Sequence, residues 1–233
     1  MPRTAKAKKT KAGVGPKRST ARATTLGINL LITGFGPFPG APDNPTGPLV
    51  RALARRLRAN GNKMQIDTHV FCTTYAAVDR DLPRLIARKK PDALLMFGLA
   101  ARSRGLRVET QARNRINRYP DAAGVIAAAR KIADDAPRTM PIRAPKATLL
   151  RAAMSGNLPA RLSANAGDYL CNYLYWHALE AAKRPGGPIR AVFIHVPPVA
   201  AAKDTRTTRT MSNLVVAAES VASALIKATR PRR

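Results

Sequence analysis

Apolar residues recur along this chain with two periods, and the periods alternate. Residues 28–34 form a β-branched and leucine-rich run that ends in glycine, the pattern of a strand buried on both faces. A stretch dense in glycine and proline follows, over residues 35–46. Leu49, Leu53 and Leu57 then recur every fourth residue among Arg51, Arg55, Arg56 and Arg58, which predicts an amphipathic helix ending near Gly61. Residues 64–72 alternate in strand fashion, 76–89 read as a helix despite Pro83, and 92–98 form a second buried apolar run.

Beyond Gly98 the pattern predicts a short strand at 106–109, a helix near 146–155, a strand near 159–164 and a helix near 168–183. A strand at 191–195 and a last helix near 212–229, with Leu214, Ala218, Val221 and Leu225 along one stripe, complete the series. Residues 110–145 are polar and interrupted by glycine and proline, and no regular element is predicted there. Strands alternating with helices predict an α/β fold around a mostly parallel sheet.

A chain of 233 residues is long enough for one such domain, placed at 27–229, with tails on either side. Hydrophobic residues make up 45% but aromatics only 5%, so the core is expected to be mainly Ala, Val, Leu and Ile. Charge changes the picture more. The formal net charge is +28, and residues 1–26 carry eight of the 41 Lys and Arg with no acid. That segment has no apolar period with which to offset the entropy of ordering, so it is expected to be a disordered basic tail, and 230–233 a short basic C-terminal one. The remaining 33 cations face 13 acids, so the body is itself basic.

Two cysteines, Cys72 and Cys171, in a chain with an ample core point to a reducing compartment, and the expectation is cytoplasmic. The apolar runs read as too short for a membrane span, and the lysine-rich start lacks the apolar core of a secretory signal. No metal-ligand spacing and no phosphate-cradling glycine motif is present, so no cofactor is expected.

Three residues invite chemistry, and each has a plain alternative. Cys171 follows Gly167 and Asp168; if Asp168 caps a helix, the thiol lies in its first turn, where N–H groups and the helix dipole favour thiolate. An inert core cysteine fits the same pattern. His195 ends an apolar strand at the edge where open α/β sheets place their ligands, although it also fits a packed core residue. Of the other histidines, His69 lies in a presumed strand, and His177 sits two turns from the thiol, too far to take its proton. Glu109 ends another strand and can orient an imidazole, or simply pair with one of many arginines. Cys72, among strand-like neighbours, reads as a core residue.

Residues 33–40 with Asn44, Pro45 and Thr46, then Gly98, Leu99 and Ala100, Glu109, Asn114, residues 163–172 and 193–197 together resemble the pyroglutamyl peptidase I family of cysteine peptidases, over roughly residues 28–229. The resemblance implies a three-layer α/β/α sandwich and a Cys-His-Glu triad falling on Cys171, His195 and Glu109. It also implies hydrolysis of an N-terminal 5-oxoproline from small peptides through a thioester. Phe35 and Phe38 fall on the residues that pack around the oxoproline ring, and Asn44, Leu99 and Asn114 on further substrate-binding positions. An apolar slot of that kind excludes a charged N-terminus. Similar proteins are often dimers or tetramers.

The sequence departs from the family at Ser103, where an arginine is expected, with Arg102 and Arg104 as the neighbours able to replace it, and at Pro39, where glycine is expected. Between Asn117 and Lys146 only Pro120, Asp121 and Gly124 correspond. The rival reading is a weakened or inactive relative that binds nucleic acid or peptide, supported by charge and by the Arg102 to Arg104 segment. Weak polyanion binding by the tail is expected as an accessory property.

Overall fold

Leu, Ile, Val and Phe at successive positions make strands that must be covered on both faces, and the covering helices supply the alternating period. The computed structural model describes residues 27–60, 64–200 and 208–230. The expectations for residues 1–26 and 231–233 lie outside these. Strand β1 (Asn29–Phe35) is followed by helix α1 (Thr46–Ala59), β2 (Gln65–Phe71), α2 (Tyr75–Lys89) and β3 (Ala93–Leu99). Then come β4 (Leu106–Glu109), β5 (Gln111–Arg113), β6 (Thr139–Pro141), α3 (Lys146–Ala153), β7 (Ala160–Ser163), α4 (Leu170–Ala181), β8 (Arg190–Val196) and α5 (Met211–Thr229).

Six strands form one sheet in the order β2-β1-β3-β8-β4-β7. All neighbours are parallel except β4 and β8. Strands β1, β3 and β8 are buried along almost their whole length, whereas the edge strand β2 alternates, as its sequence does. The two faces have separate cores. Leu30, Ile32, Leu95, Val192 and Ile194 pack with α1, α3 and α5; Leu31, Phe35, Met96 and Phe193 pack with α2 and α4. The result is the expected three-layer α/β/α arrangement.

Differences from the sequence reading have local causes. Helix α5 is, after all, long and apolar enough by composition to cross a membrane. Its apolar stripe is instead spent in the core, where Leu214, Ala218, Val221 and Leu225 are fully buried against neighbouring helices. Cys72 is exposed rather than buried, because it lies just past the end of edge strand β2, on the opposite side from the buried Phe71.

Within 110–145 the chain makes a second, two-stranded antiparallel sheet from β5 and β6. The irregular stretch between them is held by side chains, not by periodic backbone bonds. Asp121 Oδ2 accepts from Tyr75 N at 3.1 Å, and its Oδ1 accepts from Ala123 N and Val125 N at 2.9 and 3.0 Å.

Candidate active site

Strand register brings the chemistry to one end of the sheet. Gly98 on β3 lies opposite His195 on β8, and Arg107 on β4 lies on the other side of His195. Two residues further along β4, Glu109 Oε1 is 2.9 Å from His195 Nδ1. Glu109 is fully buried and His195 is 6% exposed, so little water screens the pair. With Nδ1 facing a carboxylate, the tautomer protonated at Nδ1 is favoured, which leaves a lone pair on Nε2.

The sulfur arrives from the layer above. A Cβ placed on Gly98 would lie 2.6 Å from Cys171 Sγ and 2.8 Å from Phe193 Cζ, so the thiol occupies the space over Gly98 that any other residue would fill. The Phe193 and His195 ring centroids are 5.0 Å apart, and Gly98 and His195 are paired neighbours on adjacent strands. Cys171 therefore stands over the sheet at the level of His195. Strands lie about 4.8 Å apart, so the thiol over Gly98 and the imidazole of its paired residue share this end of the sheet.

Cys171 is the second residue of α4, in its first turn as expected. Asp168 does not cap that helix. The N-cap is Tyr169, which makes no side-chain cap bond, and Asp168 is one residue too early; it accepts from Asn117 Nδ2 at 3.1 Å and lies 3.5 Å from Arg115 Nε. The first intrahelical bond runs from Tyr173 N to Tyr169 O, so three backbone N–H groups precede it. The thiol is not poised as thiolate either. Residue 171 keeps partial exposure, yet burial of its sulfur, followed by the nearby Glu109 carboxylate, pushes the thiol up to about 12, and the helix N–H offsets only part of this.

The remaining expected residues divide by burial. Phe35 is 2% exposed and packs against Phe71 at a centroid distance of 5.9 Å; Phe38 is half-buried on the loop beyond it. Leu99 is half-buried at the end of β3, next to Gly98. Asn44 and Asn114 are occupied with the protein itself. Asn44 Nδ2 donates to Gly36 O at 3.0 Å, and its Oδ1 accepts from Thr46 N and Oγ1 at 3.1 and 2.9 Å. Asn114 Nδ2 donates to Ala133 O and Ala136 O at 2.6 and 3.2 Å, while its Oδ1 accepts from Ile132 N and Ala133 N at 2.8 and 3.0 Å. Each is placed to shape a loop.

Both departures have a local explanation. Pro39 and Gly40 are the corners of a tight turn in which Phe38 and Ala41 exchange backbone bonds of 3.4 and 2.9 Å. Gly40 has φ +89, and proline before such a glycine suits the turn. Ser103 Oγ donates to Gly105 O at 2.7 Å, while Arg102 and Arg104 are exposed. The arginine that reaches the dyad is another one: Arg107 Nε lies 3.3 Å from Glu109 Oε1, and its guanidinium also donates to Ser163 Oγ at 3.0 Å.

Roles for Arg107, Gly98, Asn172 and Tyr175 emerge only in the structure, Gly98 and Asn172 having counted solely as motif positions. Tyr175 OH donates to Glu109 O at 2.9 Å, and Asn172 holds the backbone of β5 and Arg115. The first two were open to discovery: arginine two residues before a strand-end glutamate shares its face, and glycine ending an apolar strand signals close approach. His69, 3.4 Å from Asp81, and His177, 3.0 Å from Glu180, are engaged elsewhere.

A family model for pyroglutamyl peptidase matches residues 28–229. The pyrrolidone-carboxylate peptidase of Thermococcus litoralis is 36% identical over 173 residues, 72% of this chain and 76% of its own. That of Deinococcus radiodurans is 33% identical over 178 residues, 74% and 79% respectively. The solved structure of pyrrolidone carboxyl peptidase from Thermococcus litoralis superposes with a TM-score of 0.74 at 28% identity, covering 86% of this chain and 94% of that one.

Proposed function

This chain belongs to the pyroglutamyl peptidase family of cysteine exopeptidases, and we propose that Cys171, His195 and Glu109 carry the hydrolysis of an N-terminal 5-oxoprolyl bond in peptides. The carrying observation is the buried 2.9 Å contact of Glu109 Oε1 with His195 Nδ1, beside a thiol seated over Gly98. Because burial pushes the Cys171 thiol up, proton transfer accompanies attack. His195 Nε2 takes the Sγ proton as sulfur bonds to the oxoprolyl carbonyl carbon, and the carbonyl electrons move to oxygen. Collapse of that oxyanion expels the amine, which receives the proton from His195, and leaves a thioester. A water that gives its proton to His195 then releases 5-oxoproline, and the sulfur regains a proton.

Glu109 keeps one tautomer in place and stabilises the imidazolium formed in both steps. The N–H groups at the uncapped start of α4 suit the oxyanion: they have no intrahelical acceptor, and no acidic residue lies in that first turn. Phe38 and Leu99 are the partly exposed apolar groups near the ring's expected place, with Phe35 as their buried backing. Asn44 and Asn114 serve by holding the loops around the substrate. Release of a fluorophore from an oxoprolyl amide tests the reading. Wild type is expected to turn over, Cys171→Ala to show essentially no activity, and Glu109→Gln to lose about two or more orders of magnitude in kcat. Full turnover by Cys171→Ala would sink it.

A further inference from the structure

The loop that sequence reading could not assign brings five cations to one place. Arg113 and Arg115, on and after β5, and Arg130, Lys131 and Arg138, from the returning stretch, line a single cavity of about 450 Å³ together with Asn114. Little neutralises them. Arg115 lies 3.5 Å from Asp168, and Arg113 donates to the neutral Asn165 Oδ1 at 2.8 Å. Arg130, Lys131 and Arg138 pair with no acid among the described residues; Asp134 and Asp135 belong to the same stretch but do not line the cavity.

The backbone bearing these cations is held in place before any ligand arrives. Arg113 N donates to Asn172 Oδ1 at 2.8 Å, Ile116 N to Arg130 O at 2.8 Å and Asn114 N to Arg138 O at 2.9 Å. The four side-chain bonds of Asn114 fix residues 132–136 between them. A concave wall of one sign concentrates the field, and guanidinium forks match phosphate and carboxylate oxygens. Backbone bonds between the two segments set all five cations around one cavity, with Arg130, Lys131 and Arg138 exposed to solvent.

We propose that this cavity is a binding site for a compact anion bearing two or more adjacent oxyanion groups, either a free phosphate compound or an acidic stretch of a peptide substrate. The free-anion case is independent of the peptidase reading, and the substrate case rests on it.

Titration of the full chain with inorganic pyrophosphate at fixed ionic strength tests the site. The R130A/K131A/R138A variant is compared with R55A/R84A/R88A, which removes the same charge from exposed positions on α1 and α2. The cavity variant is expected to bind at least about tenfold more weakly, and the control less than about twofold. Equal weakening in both would overturn the proposal, since net charge would then be the whole effect. Circular dichroism checks folding, and R138A alone, expected to weaken binding about threefold, serves if the triple variant does not fold.

A second arm compares kcat/KM for oxoprolyl peptides carrying two downstream glutamates or two glutamines. A preference for glutamate that the cavity variant loses and the control keeps assigns the anion to the substrate. Cavity-dependent pyrophosphate binding without such a preference assigns a separate ligand. Dependence on the cavity in neither arm removes the site.

Discussion

At the scale of single residues, Cys171 is under opposing influences and burial wins. A free thiol at its ordinary 9.0 is about one-tenth thiolate at pH 8, whereas one pushed up to about 12 is thiolate in about one molecule in ten thousand. In the proposed mechanism His195 supplies the missing basicity during attack. In His195→Gln, alkylation of Cys171 by iodoacetamide should keep accelerating from pH 9 to beyond pH 11, because a raised value favours the neutral form until the pH nears it. A plateau by pH 9.5 would contradict this. Gly98 makes the companion case. Gly98→Ala places a methyl 2.6 Å from Cys171 Sγ and 2.8 Å from the Phe193 ring. Displacing the sulfur by about 1 Å should lower kcat about a hundredfold with the far-ultraviolet spectrum retained.

At the scale of elements, the join between α4 and β5 is what couples the helix bearing Cys171 to the irregular region. Asn172, fully buried, accepts from Arg113 N at 2.8 Å and donates to Arg113 O and Arg115 O at 2.7 and 3.1 Å. Asn172→Ala leaves those backbone groups unpaired, so thermal or urea unfolding should show a loss of about 2–3 kcal/mol, with kcat reduced as α4 shifts. Regular elements were readable because each bears a local period: β1, β3 and β8 as apolar runs, α1 and α5 as stripes. The β5–β6 pair was not, because three-residue strands carry too few positions for a period to register. Their placement depends on Asn114, Asp121 and Asn172, whose partners lie as far as 59 residues away.

At the scale of the whole molecule, an acid-free run of cations, residues 1–26, lies far in sequence from Cys171, His195 and Glu109. We expect the eight cations of residues 1–26 to add weak, salt-sensitive affinity for polyanions. Deleting residues 1–26 should lower affinity for duplex DNA at low salt and leave oxoprolyl-amide turnover within about twofold of wild type; gel shift and fluorophore release measure the two. The chain by itself determined its α/β class and its sheet-edge histidine, and its motifs resembled one family closely enough to nominate Cys171, His195 and Glu109. Those are consequences of local period and of residue chemistry, which a sequence displays directly. Only the tertiary structure decided that Arg107 reaches Glu109, that burial pushes the Cys171 thiol up, that Cys72 is exposed, and that five cations from two segments share one cavity. Each of these depends on strand register and burial, and both arise from contacts between residues that nothing in the local order of the chain sets side by side.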